Sequence, residues 1–281
     1  MKYLTNKCKR PQRLACLWLT FGFVLVFPAH ATWSIVAVDP ETGEAGLAAA
    51  TCGLGISFIA EAVPGAGVVA AQASTSFKGR DQARAWLADG LAASEILARL
   101  SNPAFYDGWF DRSFADLQYG VAALSGIPRA GFTGGDDLVP WAGGTSGTNY
   151  SVQGNTLRGE TVITAAANAF ESYEQDTCRP SLGVQLLRAL EAGRDAGGDR
   201  RCPANAPAQS AILYIVGTSG TGRDQAATTL RIVTPMEIGI ARGIYYSIFP
   251  YEPAENSVEP VQQLREKYLA AGGRNCQIQA D

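Results

Sequence analysis

Thr32 is the residue whose type and position most directly suggest chemistry. It follows Ala29-His30-Ala31, a small-x-small motif that comes after a basic segment and an apolar run from Leu14 to Phe27. This order is typical of a secretory signal peptide, so residues 1–31 are predicted to be removed. Thr32 then becomes the N-terminus. Its hydroxyl lies beside a free α-amine, whose ordinary pKa of about 8 suits a general base.

The histidine content favours this interpretation. The single histidine is His30, which lies in the predicted leader, so the mature chain would contain no imidazole. Ser-His-Asp and Cys-His catalysis and histidine-ligated zinc are therefore excluded. Only Lys78 and Lys267 remain as lysines, and the α-amine of Thr32 is the simpler base. The alternative is that Thr32 is an ordinary first residue of an exported protein.

Composition limits the classes of partner. Removing the five cations of residues 1–31 from the 23 Lys and Arg leaves 18, against 26 Asp and Glu, a net charge of −8. This charge argues against nucleic acid and against an anionic membrane. No later apolar run is long enough to cross a membrane. We expect a periplasmic or secreted protein with a small-molecule or peptide substrate, no cofactor and no metal; a homo-oligomer is compatible with the sequence.

The cysteines predict disulfides. Four lie after residue 31, namely Cys52, Cys178, Cys202 and Cys276, and four cysteines allow three connectivities. Cys178 and Cys202 flank one predicted helix and a Gly-rich loop, so we predict that they are joined. By elimination Cys52 then pairs with Cys276. The absence of a C-x-x-C motif argues against a zinc or thioredoxin-type site.

Hydrophobic periodicity predicts an α+β fold in one domain over residues 32–281. The first two strands form a hairpin around the turn at 39–44, with Thr32 at its open end. The aromatic-rich stretch 101–116 either rims a pocket or packs down as a lid. The predicted strands are 32–38, 47–51, 68–73, 118–124, 130–133, 150–155, 210–216 and 228–233, and the predicted helices are 81–100 with a break near 90, 160–172, 182–193 and 261–271.

An ordered set of short motifs carries a family resemblance. The motifs are Thr32-Trp33-Ser34-Ile35-Val36-Ala37, Val69-Ala70-Ala71-Gln72-Ala73, Trp141-Ala142-Gly143, Tyr150-Ser151-Val152-Gln153-Gly154-Asn155, Gly197-Gly198-Asp199-Arg200-Arg201 and Gln209-Ser210-Ala211. Over residues 32–216 the chain resembles the DUF1028 family, which is similar to N-terminal-nucleophile (Ntn) hydrolases. The resemblance implies a four-layer α-β-β-α sandwich. The insertion at 202–208 and the stretch 244–260 depart from the family pattern.

The resemblance also implies a reaction. In the Ntn scheme the Thr32 hydroxyl attacks an amide carbonyl while the α-amine takes its proton. Asn155, at the polar end of a strand, is our candidate oxyanion donor, although it could instead cap a turn. Gln72 and Ser34 are candidates for orienting the amine or the nucleophile. Structural hydrogen bonding is the alternative role for both.

Four further residues are candidates for binding substrate or supporting the site. Asp199 with Arg200 or Arg201 either forms an ion pair that holds a loop or binds a substrate carboxylate. Gln209 and Ser210 open a strand and have the same two interpretations. A different class of function also fits, namely a secreted, non-catalytic binding protein on an Ntn-like scaffold. The absence of a lysine at the strand positions where several Ntn peptidases carry one supports this alternative, and the hydrolase remains the first hypothesis.

Overall fold

The computed structural model describes residues 32–53, 56–106, 113–135, 138, 141–172, 178–219, 226–234 and 259–273. These residues form a mixed α+β fold with two antiparallel sheets and five α-helices. In chain order the elements are β1 (Thr32–Asp39), β2 (Glu44–Thr51), β3 (Ala60–Val63), β4 (Gly67–Ala73), α1 (Phe77–Ala88), α2 (Ala93–Leu100), β5 (Leu117–Ala123), β6 (Ala130–Gly134), β7 (Ala142–Ser146), β8 (Tyr150–Asn155), α3 (Thr161–Glu171), α4 (Leu182–Asp195), β9 (Ser210–Ser219), β10 (Ala226–Thr234) and α5 (Pro260–Ala270).

The α+β class is confirmed, and each predicted strand and helix has a counterpart. The helical stretch 81–100 divides into α1 and α2 on either side of Gly90, which has φ +81°. Two strands were not predicted from the sequence, β3 and β7. The first has only four residues, and the second, Ala-Gly-Gly-Thr-Ser, has glycines that strands disfavour. The predictions for residues 1–31 and 244–258 concern parts of the chain outside the described residues.

β1 lies inside the larger sheet. That sheet has the strand order β10-β9-β2-β1-β8-β7, and the smaller sheet has the order β3-β4-β5-β6. Thr32 faces Thr51 of β2 and Asn155 of β8 across the ladder. The predicted hairpin with Thr32 at its open end is therefore confirmed. Every residue of β1 is buried, because neighbouring strands cover both edges and packed layers cover both faces.

Alternate side chains of β1 belong to two different apolar clusters, one on each face of the larger sheet. Trp33 and Ile35 belong to an apolar cluster with residues of α3, α4 and α5, whereas Val36 and Val38 belong to a second cluster with residues of the smaller sheet. A third cluster joins α1 and α2 to the smaller sheet. Successive side chains of a strand point to opposite faces. Thr32 and Ser34 therefore face the space between the two sheets.

Trp33 fixes the start of β1 against α4. Its Nε1 donates a hydrogen bond to Leu190 O at 3.2 Å, and its ring is fully buried. Gly193 permits this approach, because a Cβ there would lie 2.7 Å from Trp33 Nε1. The backbone of the predicted nucleophile therefore adjoins one of the largest buried side chains of the protein.

Both predicted disulfide pairings are wrong. Cys52 is bonded to Cys202, with 5.5 Å between their Cα atoms. Arg179 contacts Asp39 at 3.2 Å, which places Cys178 near the β1–β2 turn. Cys202 lies at the opposite end of the sheet. It follows Asp199 closely in the chain, and the Asp199 carboxylate accepts a hydrogen bond from Cys52 N at 2.7 Å. Cys276 lies outside the described residues. Within the described ranges, none of the helices contains an apolar stretch of the length that a bilayer span requires.

Candidate functional site

A row of polar residues crosses the larger sheet at one end. Asn155, Thr32, Thr51 and Ser210 are register partners on β8, β1, β2 and β9, and each is at most 2% exposed. Directly opposed residues in antiparallel strands point to the same face. Their side chains therefore lie together at one end of the space between the sheets, and the apolar inter-sheet cluster occupies the rest of it.

Ser34 is the centre of a hydrogen-bond network behind Thr32. Its Oγ donates to Gln72 Oε1 at 2.7 Å and accepts from Gln153 Nε2 at 2.6 Å. Ser151 Oγ donates to Gln153 Oε1 at 2.8 Å. These contacts join β1, β4 and β8 through buried side chains. Since every member is an amide or a hydroxyl, the network is electrically neutral.

Gln118 extends this network across the smaller sheet. Its Oε1 accepts from Gln72 Nε2 at 2.7 Å and from Asn155 Nδ2 at 3.3 Å, while its Nε2 donates to Gly154 O at 3.1 Å. Gln72 Nε2 also reaches Thr32 O at 3.5 Å. The four residues predicted as catalytic, Thr32, Ser34, Gln72 and Asn155, are thus brought together. Structural hydrogen bonding is observed for Ser34 and Gln72, and their part in catalysis stays a prediction.

Gln118, Gln153 and Ser151 were not predicted as site residues. Ser151, Gln153 and Asn155 alternate along β8, so they share one face of that strand. From that spacing, Ser151 and Gln153 could have been predicted to lie on the same face as Asn155. Gln118 required knowledge of how the two sheets face each other, because its partners lie on β4 and β8.

Asn155 has a buried acceptor that no donor among the described residues satisfies. Its side chain is fully buried, and within the described part of the chain its Oδ1 has no hydrogen-bond partner. A buried polar atom left unpaired typically costs about 1–3 kcal/mol. The next residue, Thr156, has φ +53°, and Ala73, which follows Gln72, has φ +67°. Such left-handed conformations are costly for residues other than glycine and tend to cluster at functional sites.

An ion pair borders the polar row on the β2 side. Arg201 Nη2 lies 2.7 Å from Asp199 Oδ2, and Arg201 Nε lies 3.2 Å from Oδ1. Asp199 is fully buried, while the Arg201 side chain is 29% exposed. Arg201 Nη2 also donates to Thr51 Oγ1 at 3.3 Å. Of the two candidate arginines, Arg201 makes the ion pair, whereas Arg200 is exposed and donates its backbone N–H to Thr156 O.

Gln209 and Ser210 lie beside the disulfide. Gln209 N donates to Thr51 O at 2.8 Å, and Gln209 Nε2 lies 3.5 Å from Cys52 Sγ. Gln209 Oε1 is a second buried acceptor without a partner in the described chain. Ser210 Oγ donates to Gly53 O at 2.5 Å. Both residues therefore support the backbone at the end of β2, next to Thr51.

A cavity of about 420 Å³ lies at the same end of the molecule, on the β6 side. Tyr106 and Phe114 line it, together with Gly134 and Gly135 at the end of β6. These two aromatic residues also pack against the core of α1 and α2, so parts of 101–116 both rim a cavity and cover that core. Gly135 lies against Gln118, because a Cβ there would be 2.5 Å from Gln118 Nε2.

A second cavity, of about 440 Å³, lies between α3 and the strands β7 and β8. Its lining includes Tyr150, which belongs to the core on the helix side of the sheet. The side chain of Thr32 points to the other face. Burial raises the pKa of the Tyr150 hydroxyl, and its hydrogen bond to Glu171 adds to the shift.

Metal ligands do not cluster in the described part of the chain. There, no three His, Cys, Asp or Glu side chains are placed to hold a metal ion. The expectation that the protein uses no metal and no cofactor stays a prediction.

Comparison with known proteins identifies relatives of unknown function. The sequence model described as "Family of unknown function (DUF1028)" matches residues 32–237. The fold is similar to the crystal structure of protein SPO2555 from Silicibacter pomeroyi, which is assigned to DUF1028. The TM-score is 0.58 at 24% identity, covering 86% of this chain and 89% of that one. No curated protein matches the sequence.

Proposed function

The chain belongs to the DUF1028 family, and from this premise we propose that it is an exported Ntn-type amidohydrolase or peptidase. It cleaves an amide bond of a small molecule or peptide through Thr32, after removal of the leader releases the α-amine. The proposal includes a periplasmic or secreted location and an Ntn-type four-layer α-β-β-α sandwich. Apolar clusters on the outer face of each sheet and between the sheets support that architecture.

One observation carries the proposal. Thr32 is the first residue of an inner strand, and its side chain faces a buried, neutral polar network that joins the two sheets. Burying amides and hydroxyls in a core is tolerated only where hydrogen bonds satisfy them, so such a network is costly to build around an ordinary strand end. Its position at the predicted cleavage point fits a preorganised site.

In the proposed reaction, Thr32 Oγ attacks the amide carbonyl and the α-amine accepts the hydroxyl proton. A bond forms between Oγ and the carbonyl carbon, the C–N bond breaks, and the proton leaves with the amine product. Water then hydrolyses the ester, and the α-amine acts again as the base. Asn155 Nδ2, across the ladder from Thr32, is our proposed oxyanion donor. The Oδ1 of Asn155, which has no partner among the described residues, is suited to accept an N–H from the α-amine.

Substitutions of Thr32 test the proposal. Thr32→Ala removes the nucleophile, so the rate should fall by roughly 10⁴-fold or more. Thr32→Ser keeps the hydroxyl and the amine and should retain part of the activity. Inserting one glycine before Thr32 converts the amine to an amide and should be as damaging as Thr32→Ala. The measurements are an intact mass that begins at Thr32 and formation of an ester adduct at Thr32 with a β-lactone probe.

Thr164→Ala is the matched control. Because Thr164 is exposed on α3, this substitution should not change the rate or the formation of the adduct. In the parental protein, adduct formation should also rise with pH through a single ionisation near or below the ordinary α-amine pKa of about 8. If the glycine-extended protein and Thr32→Ala both formed the adduct at the parental rate, Thr32 would not be the nucleophile. A non-catalytic binding protein on the same scaffold would then be the better conclusion.

A further inference from the structure

We propose a substrate class for this site: N-acyl amino acids whose carboxylate pairs with Arg201 and whose acyl group is apolar and ring-sized. The inference rests on the proposed function for the position of the scissile amide at Thr32. The two recognition elements lie on opposite sides of Thr32, since Arg201 adjoins β2 and the aromatic cavity adjoins β6.

Arg201 is held one strand away from Thr32. Its Nη2 donates to Thr51 Oγ1, and Thr51 is the direct cross-strand neighbour of Thr32. Side chains at such positions lie about 4.5–5.5 Å apart at Cβ. In an N-acyl α-amino acid, the carboxylate is separated from the amide nitrogen by a single carbon atom. A substrate with its carbonyl at Thr32 Oγ therefore brings its carboxylate within reach of Arg201.

The ion pair with Asp199 fixes the orientation of this guanidinium. Two contacts to the fully buried carboxylate hold the Nε and Nη2 edge, and Cys52 N donates to the same carboxylate at 2.7 Å. Because 29% of the Arg201 side chain is exposed, a ligand can approach it. A planar, pre-oriented guanidinium suits recognition of a carboxylate better than a mobile cation does.

Positive charge next to this loop supports an anionic ligand. Arg158, from the turn after β8, donates from Nη2 to Cys202 O at 2.8 Å. Two guanidinium groups, those of Arg158 and Arg201, therefore contact the segment that contains Asp199. The net charge of these three side chains is positive.

The position of Arg201 sets the direction of the substrate. Arg201 contacts Thr51, on the β2 side of Thr32. With the carboxylate at Arg201, the amide N–H of the substrate lies on the β2 side, and the acyl group is directed toward β6.

The cavity on the β6 side fits a neutral acyl group. Its volume is about 420 Å³, and none of the described residues that line it is charged. Tyr106 and Phe114 supply aromatic surface, while Gly134 and Gly135 let the ligand approach the backbone. Small-molecule sites of about 300–1,000 Å³ are commonly apolar in this way. Gln118 links this wall to Asn155 and hence to the register position of Thr32.

Calorimetric binding to the processed Thr32→Ala protein tests the carboxylate site without turnover. N-benzoylglycine should bind at least about tenfold more tightly than N-benzoylglycinamide, which has the same ring and amide but no charge. Arg201→Gln should reduce this preference to less than about twofold. Arg84→Gln makes the same change of charge at an exposed residue of α1 and should leave the preference for N-benzoylglycine intact. An equal affinity for acid and amide overturns the proposal, even if Arg201→Gln fails to fold.

The cavity is tested with a second ligand pair. N-benzoylglycine should bind at least about tenfold more tightly than N-acetylglycine, because only the benzoyl ring fills the aromatic cavity. Ala115→Phe, which fills the cavity, should abolish this preference, whereas Ala104→Phe, on an exposed residue nearby, should not. Equal affinity of the parental site for both ligands would refute the acyl assignment.

These measurements also separate the inference from the proposed function. If β-lactone labels Thr32 but neither binding preference exists, the nucleophile proposal stands and the substrate class is wrong. If both preferences exist but Thr32 is not labelled, the binding site stands and the hydrolase proposal is wrong.

Discussion

Ser34 joins two glutamines that come from different sheets. Its single hydroxyl donates to Gln72 and accepts from Gln153, so it satisfies one atom on each side of the inter-sheet space. Because the neighbours of this network are buried, a broken bond here is not replaced by bulk water. The orientation of Gln72, which also approaches Thr32 O, therefore depends on Ser34.

Ser34→Ala is expected to lower the free energy of unfolding by about 1–3 kcal/mol, because it leaves Gln72 Oε1 and Gln153 Nε2 each without their closest partner. Urea denaturation measures this change. Ser146→Ala, on the exposed end of β7, should change stability by less than about 0.5 kcal/mol. Equal effects of the two substitutions would show that the network is not stabilising.

Site residues that can be recognised from a single strand or a single motif were predicted from the sequence. Thr32, Ser34, Gln72 and Asn155 were found because each lies on a predicted strand within a motif, and the structure brings them together. Gln118 was missed because its partners belong to strands far away in sequence. The ion-pair partner of Asp199 was left open between two adjacent arginines, since loop geometry decides which one points inward.

The packing of β5 against β8 determines how closely the two sheets approach. Gly120 lies on the inter-sheet face of β5, where a Cβ would be 2.3 Å from Gln153 Nε2. No side chain fits at that position unless Gln153 moves. The absence of a side chain at Gly120 thus leaves room for Gln153 to contact Ser34 on the neighbouring strand β1.

Gly120→Ala is expected to displace Gln153 and to lower the free energy of unfolding by about 1–3 kcal/mol through overpacking. Gly159→Ala is the control, because the nearest atom to its Cβ would be Thr161 Oγ1 at 3.9 Å, and its effect should be below about 0.5 kcal/mol. Thermal and urea unfolding both report the difference. If Gly120→Ala left the free energy of unfolding unchanged, the two sheets could move apart without a loss of stability.

Elements with strong periodicity were predicted well, and those without it were not. β1 and β8 have alternating apolar residues and appeared close to their observed bounds. β7 has two glycines in five residues and no such pattern, so its assignment depends on pairing with β8. The arrangement of the two sheets was implied by the family resemblance, because periodicity within a strand contains no information about which sheets face each other.

The Cys52–Cys202 bond connects residues 150 positions apart and ties the loop after α4 to the end of β2. Asp199, Arg201 and Gln209 all contact this junction, so the bond holds the β2 side of the candidate site together. The predicted pairing of Cys178 with Cys202 joined the nearest cysteines along the chain. It was wrong because α4, with 14 residues and a length of about 21 Å, separates the two ends.

Replacing both Cys52 and Cys202 by alanine should lower the free energy of unfolding by about 3–5 kcal/mol, because the unfolded chain regains the entropy that the closed loop removes. The folded protein should also lose part of its preference for N-benzoylglycine over N-benzoylglycinamide, since the segment that contains Asp199 and Arg201 is then held at the end of β2 by hydrogen bonds alone. Urea denaturation and calorimetry measure the two effects on one variant. A loss of stability below about 1 kcal/mol, with the carboxylate preference unchanged, would show that the hydrogen bonds to Asp199 hold this junction without the covalent bond.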